Sequence, residues 1–223
     1  MRTADADSIL AAAQRFSTAT LNDAGRRLGY DGAVRGVGPT SGPGRLVGRA
    51  VTARLGSKDE ASGKAINFYD VLAEAAEGGV LVIELGDDRW VAGANMATYA
   101  MQRRLAGFLV DGCMRDLGEI RALDFAVFSR GAAVAGYNID YSLVEANASV
   151  TCGGIHVSPR DIVIGDEDGA FIVPERMASD LLYEAEDIET LDRRQADLIR
   201  HCAPVADLKA NVQGWGRRRS RVR

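Results

Sequence analysis

Residues 79–130 read GVLVIELGDDRWVAGANMATYAMQRRLAGFLVDGCMRDLGEIRALDFAVFSR. Three apolar runs in this stretch predict buried strands, and the segments between them have helical patterns. The predicted strands are VLVIEL (80–85), FLVDG (108–112) and FAVFSR (125–130), and the predicted helices span 95–107 and 116–124. This alternation predicts an α/β fold with a parallel βαβ core and right-handed crossovers. Ligands of such sheets bind at the carboxyl ends of the strands.

The chain on both sides extends this core. Upstream, a loop rich in Gly and Pro (31–45) precedes a predicted strand at 47–55 and a helix at 66–79. Downstream, short apolar segments separated by glycines predict additional antiparallel strands, beginning with AAVAG at 132–136. Among these segments, GDEDG (165–169) predicts a hairpin turn rather than a calcium loop.

Helices are predicted at the two ends of the chain. The N-terminal helical segment spans 8–29, and its second helix is predicted to begin after Thr20. A long helix is predicted at about 175–200. We therefore predict a single α/β domain at residues 1–216, followed by a basic tail at 217–223.

Composition narrows the possible functions. The chain has 223 residues, 47% of them hydrophobic, which suits one compact core. No apolar run approaches the ~20 residues of a membrane-spanning helix, and the N-terminus lacks a signal-peptide pattern. Three widely spaced cysteines fit neither a disulfide framework nor a Cys-x-x-Cys metal site. We expect a soluble, cytoplasmic protein without a membrane partner.

The scarcity of two residue types limits the chemistry. Two histidines leave almost no material for an imidazole-rich zinc centre, so a metal would be held mainly by oxygen, as Mg²⁺ or Mn²⁺ prefers. Lys58, Lys64 and Lys209 are the only lysines, and their polar surroundings in the sequence do not suggest a desolvated Schiff-base lysine.

The last seven residues contain five arginines and no acid. Such a tail can contact nucleic acid or an acidic partner. A solvated terminus is the simpler interpretation, because no aromatic-rich surface or helix-turn-helix pattern accompanies the tail. We do not expect nucleic-acid binding.

Two loops are predicted at the carboxyl ends of the strands. In the first, Gly93, Ala94, Asn95, Met96 and Ala97 open a helix, whose unpaired amides suit a carboxylate. The second is DGCMRD, residues 111–116, in which we expect a strand to end at Asp111 and Gly112 to form a tight turn.

Arg115 and Asp116 are the candidate catalytic residues of the second loop. Arginine can bind anionic oxygen, and aspartate can hold a hydrated metal ion. The alternative is structural: Asp116 caps the following helix and Arg115 pairs with Glu119.

These motifs resemble the family that contains the 4-hydroxy-4-methyl-2-oxoglutarate aldolases and the RNase E activity regulator A-like (RraA-like) proteins. The resemblance covers nearly the whole chain, from TATLNDAGRRLG through AGFLVDGCMRDLGEIRAL to VTCGGIHVSPRDIVIGDEDGAFIVP. It implies a swivelling β/β/α fold and metal-dependent cleavage of 2-oxo acid adducts. It also implies a homotrimer or homohexamer with sites at subunit interfaces.

The resemblance also implies roles for individual residues. The family's metal-binding aspartate falls on Asp116, its substrate-binding arginine on Arg115, and its carboxylate-binding amides on Asn95 and Met96. Aldolase members often have an acid where this chain has Ala94, so hydrogen bonds to metal-bound water would come from elsewhere, with Asp87 and Asp88 as candidates.

Together, the residues and the resemblance predict a lyase dependent on Mg²⁺, Mn²⁺ or another divalent cation. Retro-aldol cleavage or decarboxylation of a small 2-oxo acid, such as oxaloacetate, would leave a pyruvate enolate. The alternative is a non-enzymatic regulator that binds an RNA-processing enzyme. Asp116 favours chemistry, because regulator-type members tend to lack it. The sequence does not identify the general base.

Overall fold

The structure, a computed structural model, describes residues 6–60 and 66–218. Contacts within the chain define two compact units. One unit, Ala33–Glu175, contains the sheet, and the other combines Met1–Gly32 with Arg176–Arg223. In the predicted basic tail, residues 219–223 lie outside the described residues.

The helices and strands are numbered along the chain. The helices are α1 Ala6–Ala13, α2 Thr18–Arg27, α3 Phe68–Glu74, α4 Ala94–Gln102, α5 Leu117–Ala122, α6 Ala178–Arg200 and α7 Val205–Trp215. The strands are β1 Ala33–Val34, β2 Gly38–Ser41, β3 Leu46–Ser57, β4 Gly79–Glu84, β5 Trp90–Ala92, β6 Gly107–Met114, β7 Ala126–Ala132, β8 Tyr141–Ala146, β9 Val150–Cys152, β10 Ile155–Val157, β11 Ile162–Asp166 and β12 Gly169–Val173.

The predicted fold class is confirmed as a mixed α/β sheet with a parallel centre. The main sheet has the order β1-β12-β11-β3-β4-β6-β7-β2, with β5 beside β6 and β8 beside β3. Neighbours are parallel from β3 through β4 and β6 to β7. Antiparallel strands complete both sides, including the predicted β11–β12 hairpin. Its turn is the predicted one, since Asp166 pairs with Gly169.

Alternation of side chains along the central strands creates two buried layers. Leu81 on β4 lies beside Phe108 on β6, and both belong to the apolar cluster that includes residues of α3, α4 and α5. The adjacent pair, Val82 and Leu109, belongs to the cluster that includes the β9–β10 hairpin. Hairpin, sheet and helices therefore form the β/β/α layers that the resemblance implied.

Strand β6 differs from the prediction where the site begins. It does not end at Asp111 but continues to Met114, and Gly112 lies within it. The pairing with β7 shifts between Val110 and Cys113, which marks a β-bulge. A bulge bends a strand without ending it, and bulges are common beside active sites. The predicted tight turn at Gly112 is therefore wrong.

Two further strand predictions need correction. The segment 133–135 is irregular, so AAVAG is not a separate strand, and only Ala132 belongs to β7. Strand β8, Tyr141–Ala146, pairs antiparallel with β3 and was not predicted. The predicted loop after β4 contains β5, a three-residue strand parallel to β6.

The second unit is helical. Ser17, rather than Thr20, caps α2, because the Ser17 hydroxyl accepts a hydrogen bond from the Thr20 amide at 3.0 Å. The long C-terminal helix is confirmed as a 3₁₀ turn, Glu175–Met177, followed by α6, whereas α7 was not predicted. In the described part of the chain, no helix combines the length and apolarity needed to cross a membrane.

Buried Arg27 joins three helices of this unit. Its guanidinium donates to the carboxylates of Glu184 at 3.1 Å and Asp187 at 2.8 Å on α6. It also donates to the carbonyl oxygens of Gly214 at 2.9 Å and Trp215 at 2.6 Å at the end of α7. The side chains of Arg27 and Glu184 are 1% and 5% exposed, so this ion pair is desolvated.

Candidate active site

Arg115 and Asp116 lie directly after the carboxyl end of β6. The Arg115 amide donates to the Ala92 carbonyl at 3.0 Å, which attaches the segment to the end of β5. Asp116 has a left-handed backbone conformation, with φ 59°, and α5 begins at the next residue. Aspartate tolerates this region better than most residues. The backbone thus turns sharply and places both side chains at the edge of the sheet.

Asp116 occupies the cap position of α5, but its side chain does not cap that helix. Instead, its Oδ2 accepts the Ala94 amide at 3.3 Å and lies 3.4 Å from Nε of Arg115. Arg115 therefore pairs with Asp116, not with Glu119 as in the structural alternative. Within residues 6–60 and 66–218, the other oxygen of Asp116, Oδ1, has no hydrogen-bond partner.

Gly93 makes this close arrangement possible. A Cβ atom at this position would overlap Oδ2 of Asp116 and would lie 3.0 Å from Cγ of Arg115. Because these neighbours are side-chain atoms, any larger residue would displace the carboxylate or the arginine. Gly93 therefore has a steric role beside the two candidate residues.

The first turn of α4 lies beside the Asp116 carboxylate. Gly93 provides no side-chain cap, so the amides of Asn95 and Met96 keep the unpaired character of a helix N-terminus. The positive end of the helix dipole favours anions there. Ala94 is only 6% exposed and its methyl group belongs to the apolar core, so its contribution is the amide bonded to Asp116.

The guanidinium of Arg115 stacks on Trp90. Its Cζ lies 4.0 Å from the centroid of the indole ring, a favourable cation-π distance. Trp90 is held in turn by hydrogen bonds from its ring nitrogen to the Val134 carbonyl and from its amide to the Ala135 carbonyl, both 2.9 Å. Arg115 is thus oriented by an aromatic surface, and no described residue bonds its terminal nitrogens.

These groups line a cavity of about 700 Å³. Of the predicted site residues, it is lined by Gly93, Asn95, Met96, Arg115 and Asp116, whereas Ala94 is not part of its wall. Lys58 is the other charged residue of the wall, which also includes Asn67, Phe68, Tyr69, Trp90, Tyr137, Asn138 and Tyr141.

Three other acidic residues, one within DGCMRD and two in the loop after β4, have partners other than Arg115. Asp111 is 5% exposed and accepts Nε of Arg130 at 2.6 Å and the Gly153 amide at 3.1 Å. Asp87 accepts the Tyr141 hydroxyl at 2.8 Å, and Asp88 lies 3.8 Å from Arg130. None of the three lines the cavity, so Asp116 is the carboxylate that faces it within the described residues.

The cysteines of this unit are poor candidates for a nucleophile. Cys113 and Cys152 are both buried. Burial raises the pKa of each thiol, so both remain protonated near neutral pH.

Comparison with known proteins identifies the family. The sequence profile described as "RraA-like: Aldolase/RraA" matches residues 11–172. The chain belongs to the RraA-like family. A relative from Halalkalibacterium halodurans, provisionally named 4-hydroxy-4-methyl-2-oxoglutarate aldolase, is 32% identical over 155 residues, which cover 69% of this chain and 68% of the relative.

Solved structures support the RraA-like fold. A crystal structure of an uncharacterized protein from Pseudomonas syringae pv. tomato has a TM-score of 0.81 and 25% identity, covering 93% of this chain and 99% of that one. RraAS2 of Streptomyces coelicolor, described as a member of the RNase ES inhibitor RraA family, has a TM-score of 0.77 and 24% identity, covering 88% and 98%. The second similarity shows the fold alone.

The donor set decides whether this RraA-like site suits a metal. Among the described residues, no group of three or more His, Cys, Asp or Glu side chains comes together. Mg²⁺ usually keeps several waters and is bound by one or two carboxylates together with the substrate. Asp116 meets that requirement, because its side chain is 38% exposed and its Oδ1 is not engaged by a described residue.

The aromatic residues of the RraA-like site were not predicted from the sequence. Trp90, Tyr137 and Phe68 come from three distant segments and converge only in the folded sheet. Trp90 gave the one available signal, since it lies in the loop between a predicted strand and the helix-opening glycine. Tyr137 and Phe68 had no local pattern that distinguishes a cavity wall from a core.

Proposed function

We propose that this RraA-like protein is a divalent-metal-dependent lyase that cleaves a carbon–carbon bond of a small 2-oxo acid and releases pyruvate. The observation that carries the proposal is the position of Asp116. Its carboxylate faces the cavity and lies beside the guanidinium of Arg115 and the N-terminus of α4. It does not cap α5, the helix that it precedes. A purely structural aspartate would instead satisfy its oxygens within the fold.

The substrate carboxylate has two complementary groups. The amides of Asn95 and Met96 at the start of α4 offer donors and a favourable dipole. Arg115 offers the terminal nitrogens of a guanidinium already oriented by Trp90. An anionic 2-oxo acid would therefore bind with its carboxylate and keto oxygen towards this edge of the sheet.

A divalent cation held by Asp116, when bound, supplies Lewis-acid polarisation of the keto oxygen. The protein's own contribution is charge stabilisation and orientation. The Ala94 amide and Arg115 fix the Asp116 carboxylate, and Arg115 remains close to the negative charge that develops on the substrate.

Two reactions would share one intermediate in this cavity. In retro-aldol cleavage, a 4-hydroxy-2-oxo acid loses its hydroxyl proton, the bond between its third and fourth carbons breaks, and the electron pair forms a pyruvate enolate. In decarboxylation of oxaloacetate, carbon dioxide leaves and the same enolate forms. Groups that stabilise the enolate therefore serve both reactions.

The test measures pyruvate formation from oxaloacetate and from branched 4-hydroxy-2-oxo diacids. We expect Mg²⁺ to restore activity after exhaustive chelation, beyond the rate of Mg²⁺ alone without protein. The Asp116→Asn variant, which keeps shape but loses charge, should lose on the order of 10³-fold in kcat/KM. Asp166→Asn is the matched control, since Asp166 belongs to the β11–β12 turn.

Full activity in the chelated protein, or in Asp116→Asn, would refute the metal-dependent mechanism. The alternative function is that of a non-enzymatic regulator, for which the assay would detect no pyruvate formation. Binding to an RNA-processing enzyme by a protein without lyase activity, unaffected by Asp116→Asn, would favour the regulator. Assembly as a homotrimer or homohexamer stays a prediction, which sedimentation of the purified protein would test.

A further inference from the structure

Tyr137 is a cavity residue with a fixed ring. It begins the 3₁₀ turn Tyr137–Ile139 and lines the same cavity as Arg115 and Asp116. Its ring is nearly perpendicular to that of Trp90, at a centroid distance of 6.0 Å and an angle of 86°, and to that of Phe68, at 6.1 Å and 89°. Two perpendicular aromatic contacts leave the ring little freedom to rotate away.

Trp90 connects this ring to the proposed substrate site. Arg115 stacks on its face, and the ring of Tyr137 packs perpendicular to it. The backbone before Tyr137 is held closely against the same indole, because a Cβ at Gly136 would lie 2.6 Å from Cζ2 of Trp90. Arg115 and Tyr137 are thus both positioned by contacts with Trp90.

The hydroxyl group of Tyr137 is not used by the fold. Within the described residues it makes no hydrogen bond. Tyr141, which lines the same cavity, instead donates its hydroxyl to Asp87 at 2.8 Å. Burial raises the pKa of Tyr137, so its phenol is protonated at neutral pH and can act as a donor.

The charged groups of the cavity leave the proton-transfer role open. The proposed function assigns Arg115 to the charge of the substrate and Asp116 to the cation, so neither is assigned the proton transfer. Among the residues that the structure describes, Lys58 is the further charged residue of the wall. Tyr137 differs from Lys58 in being held against the residue that orients Arg115.

We propose that the phenol of Tyr137 protonates the methylene carbon of the pyruvate enolate, an inference that rests on the proposed lyase function. The O–H bond of Tyr137 breaks as a C–H bond forms at that carbon. The enolate electron pair supplies the new bond, the keto group is restored, and pyruvate leaves. The phenolate then regains a proton from water, so no oxidant or further reactant is needed.

The test follows hydrogen exchange at the methyl group of pyruvate. Exchange requires that the methyl group lose a proton to form the enolate and that the enolate be protonated again. Protein with Mg²⁺ and pyruvate is placed in deuterium oxide, and loss of the methyl signal is measured by proton NMR. Tyr137→Phe keeps the ring contacts and removes only the hydroxyl. We expect exchange to slow by about 10²-fold, the range typical of a general acid–base group.

Two controls separate proton transfer from binding. Tyr99→Phe should change exchange by less than about threefold, because Tyr99, on α4, does not line the cavity. Oxalate resembles the planar enolate, and calorimetry with Mg²⁺ should give Tyr137→Phe an oxalate affinity within about threefold of the original chain. A loss of exchange with oxalate binding retained would support the proposal.

Several outcomes would overturn it. Normal exchange in Tyr137→Phe would show that Tyr137 is not the proton donor. If exchange is then lost in Lys58→Met, the donor is Lys58. A parallel loss of exchange and oxalate binding shows that the hydroxyl binds rather than transfers a proton. If the original chain catalyses neither exchange nor pyruvate formation, the lyase function fails first, and that result is distinct because no variant is needed to see it.

Discussion

Arg27 in the helical unit and Arg115 at the edge of the sheet are both paired with acids, but their environments are opposite. The Arg27 side chain is 1% exposed, and its nitrogens are distributed over two carboxylates and two carbonyl groups. The Arg115 side chain is 49% exposed and has one ion-pair contact, at 3.4 Å, with Asp116.

The difference shows how to separate structural from functional charge in this chain. Arg27 makes four hydrogen bonds within the fold, so its contribution is to hold three helices together. Arg115 is oriented by Trp90 but leaves its terminal nitrogens to the cavity. Removing one partner from a desolvated cluster with several hydrogen bonds destabilises a protein strongly, whereas an exposed and incompletely bonded pair contributes little to stability and can bind a ligand.

The largest expected effect is on stability, from Arg27→Ala. This change removes the Arg27 hydrogen bonds from the buried Glu184 carboxylate and from the carbonyl oxygens of Gly214 and Trp215. We expect the free energy of unfolding to fall by about 3–5 kcal/mol, as is usual when one partner of a buried ion pair is removed. Chemical denaturation followed by circular dichroism measures the change.

A double variant, Arg27→Met with Glu184→Met, sharpens this result. It removes both buried charges and replaces them with flexible apolar groups. Recovery of most of the lost stability would show that the penalty comes from the buried charge of Glu184 after the loss of Arg27. A loss below ~1 kcal/mol in Arg27→Ala would contradict the contrast between the two arginines.

The second effect is on activity, from Arg115→Ala. Removing one donor to a developing negative charge typically costs about 10²–10³-fold in rate, and we expect that loss in kcat/KM for pyruvate formation. The free energy of unfolding should change by less than ~1 kcal/mol, because the ion pair with Asp116 is exposed.

Arg115→Lys is the matched variant, since it keeps the charge but not the planar fork that stacks on Trp90. Intermediate activity would identify orientation as part of the arginine's role. A stability loss in Arg115→Ala as large as that of Arg27→Ala would break the comparison.

The smallest effect is expected from Gly93→Ala. Because the added methyl group would overlap the Asp116 carboxylate, the acid must move by a fraction of an ångström. We expect kcat/KM to fall on the order of tenfold, with the fold intact, since small displacements of positioned groups cost rate. Gly118→Ala, at a glycine of α5 with open space around it, is the control. Equal activities of the two variants would contradict the steric role of Gly93.

The sequence predicted the layered core because that information is local. Apolar runs such as VLVIEL and FLVDG fill both faces of a strand, and helices of suitable length separate them, so parallel pairing was the consistent solution. Apolar runs do not specify where a strand ends. The extension of β6 through Gly112 depends on a bulge against β7, which is a property of pairing rather than composition.

The candidate site was predictable only in part. Arg115 and Asp116 are adjacent in sequence, so a motif and a family resemblance could locate them. The aromatic residues beside them could not be predicted in the same way, because Trp90 and Tyr137 are distant in the sequence and come into contact only in the folded protein. The direction of the Asp116 side chain was also not accessible, since its left-handed backbone decides whether the carboxylate caps α5 or faces Ala94.

That backbone conformation has an evolutionary consequence. A non-glycine residue in the left-handed region is held there at a cost of roughly 1–2 kcal/mol, and glycine would adopt it freely. Replacing Asp116 by Gly would therefore relax the chain locally while removing the carboxylate from the cavity. The contributions of this acid to the fold are one 3.3 Å hydrogen bond from the Ala94 amide and an exposed ion pair with Arg115. A lineage freed from the chemistry could therefore lose it at small cost and still retain the scaffold, its cavity and its surface for other uses.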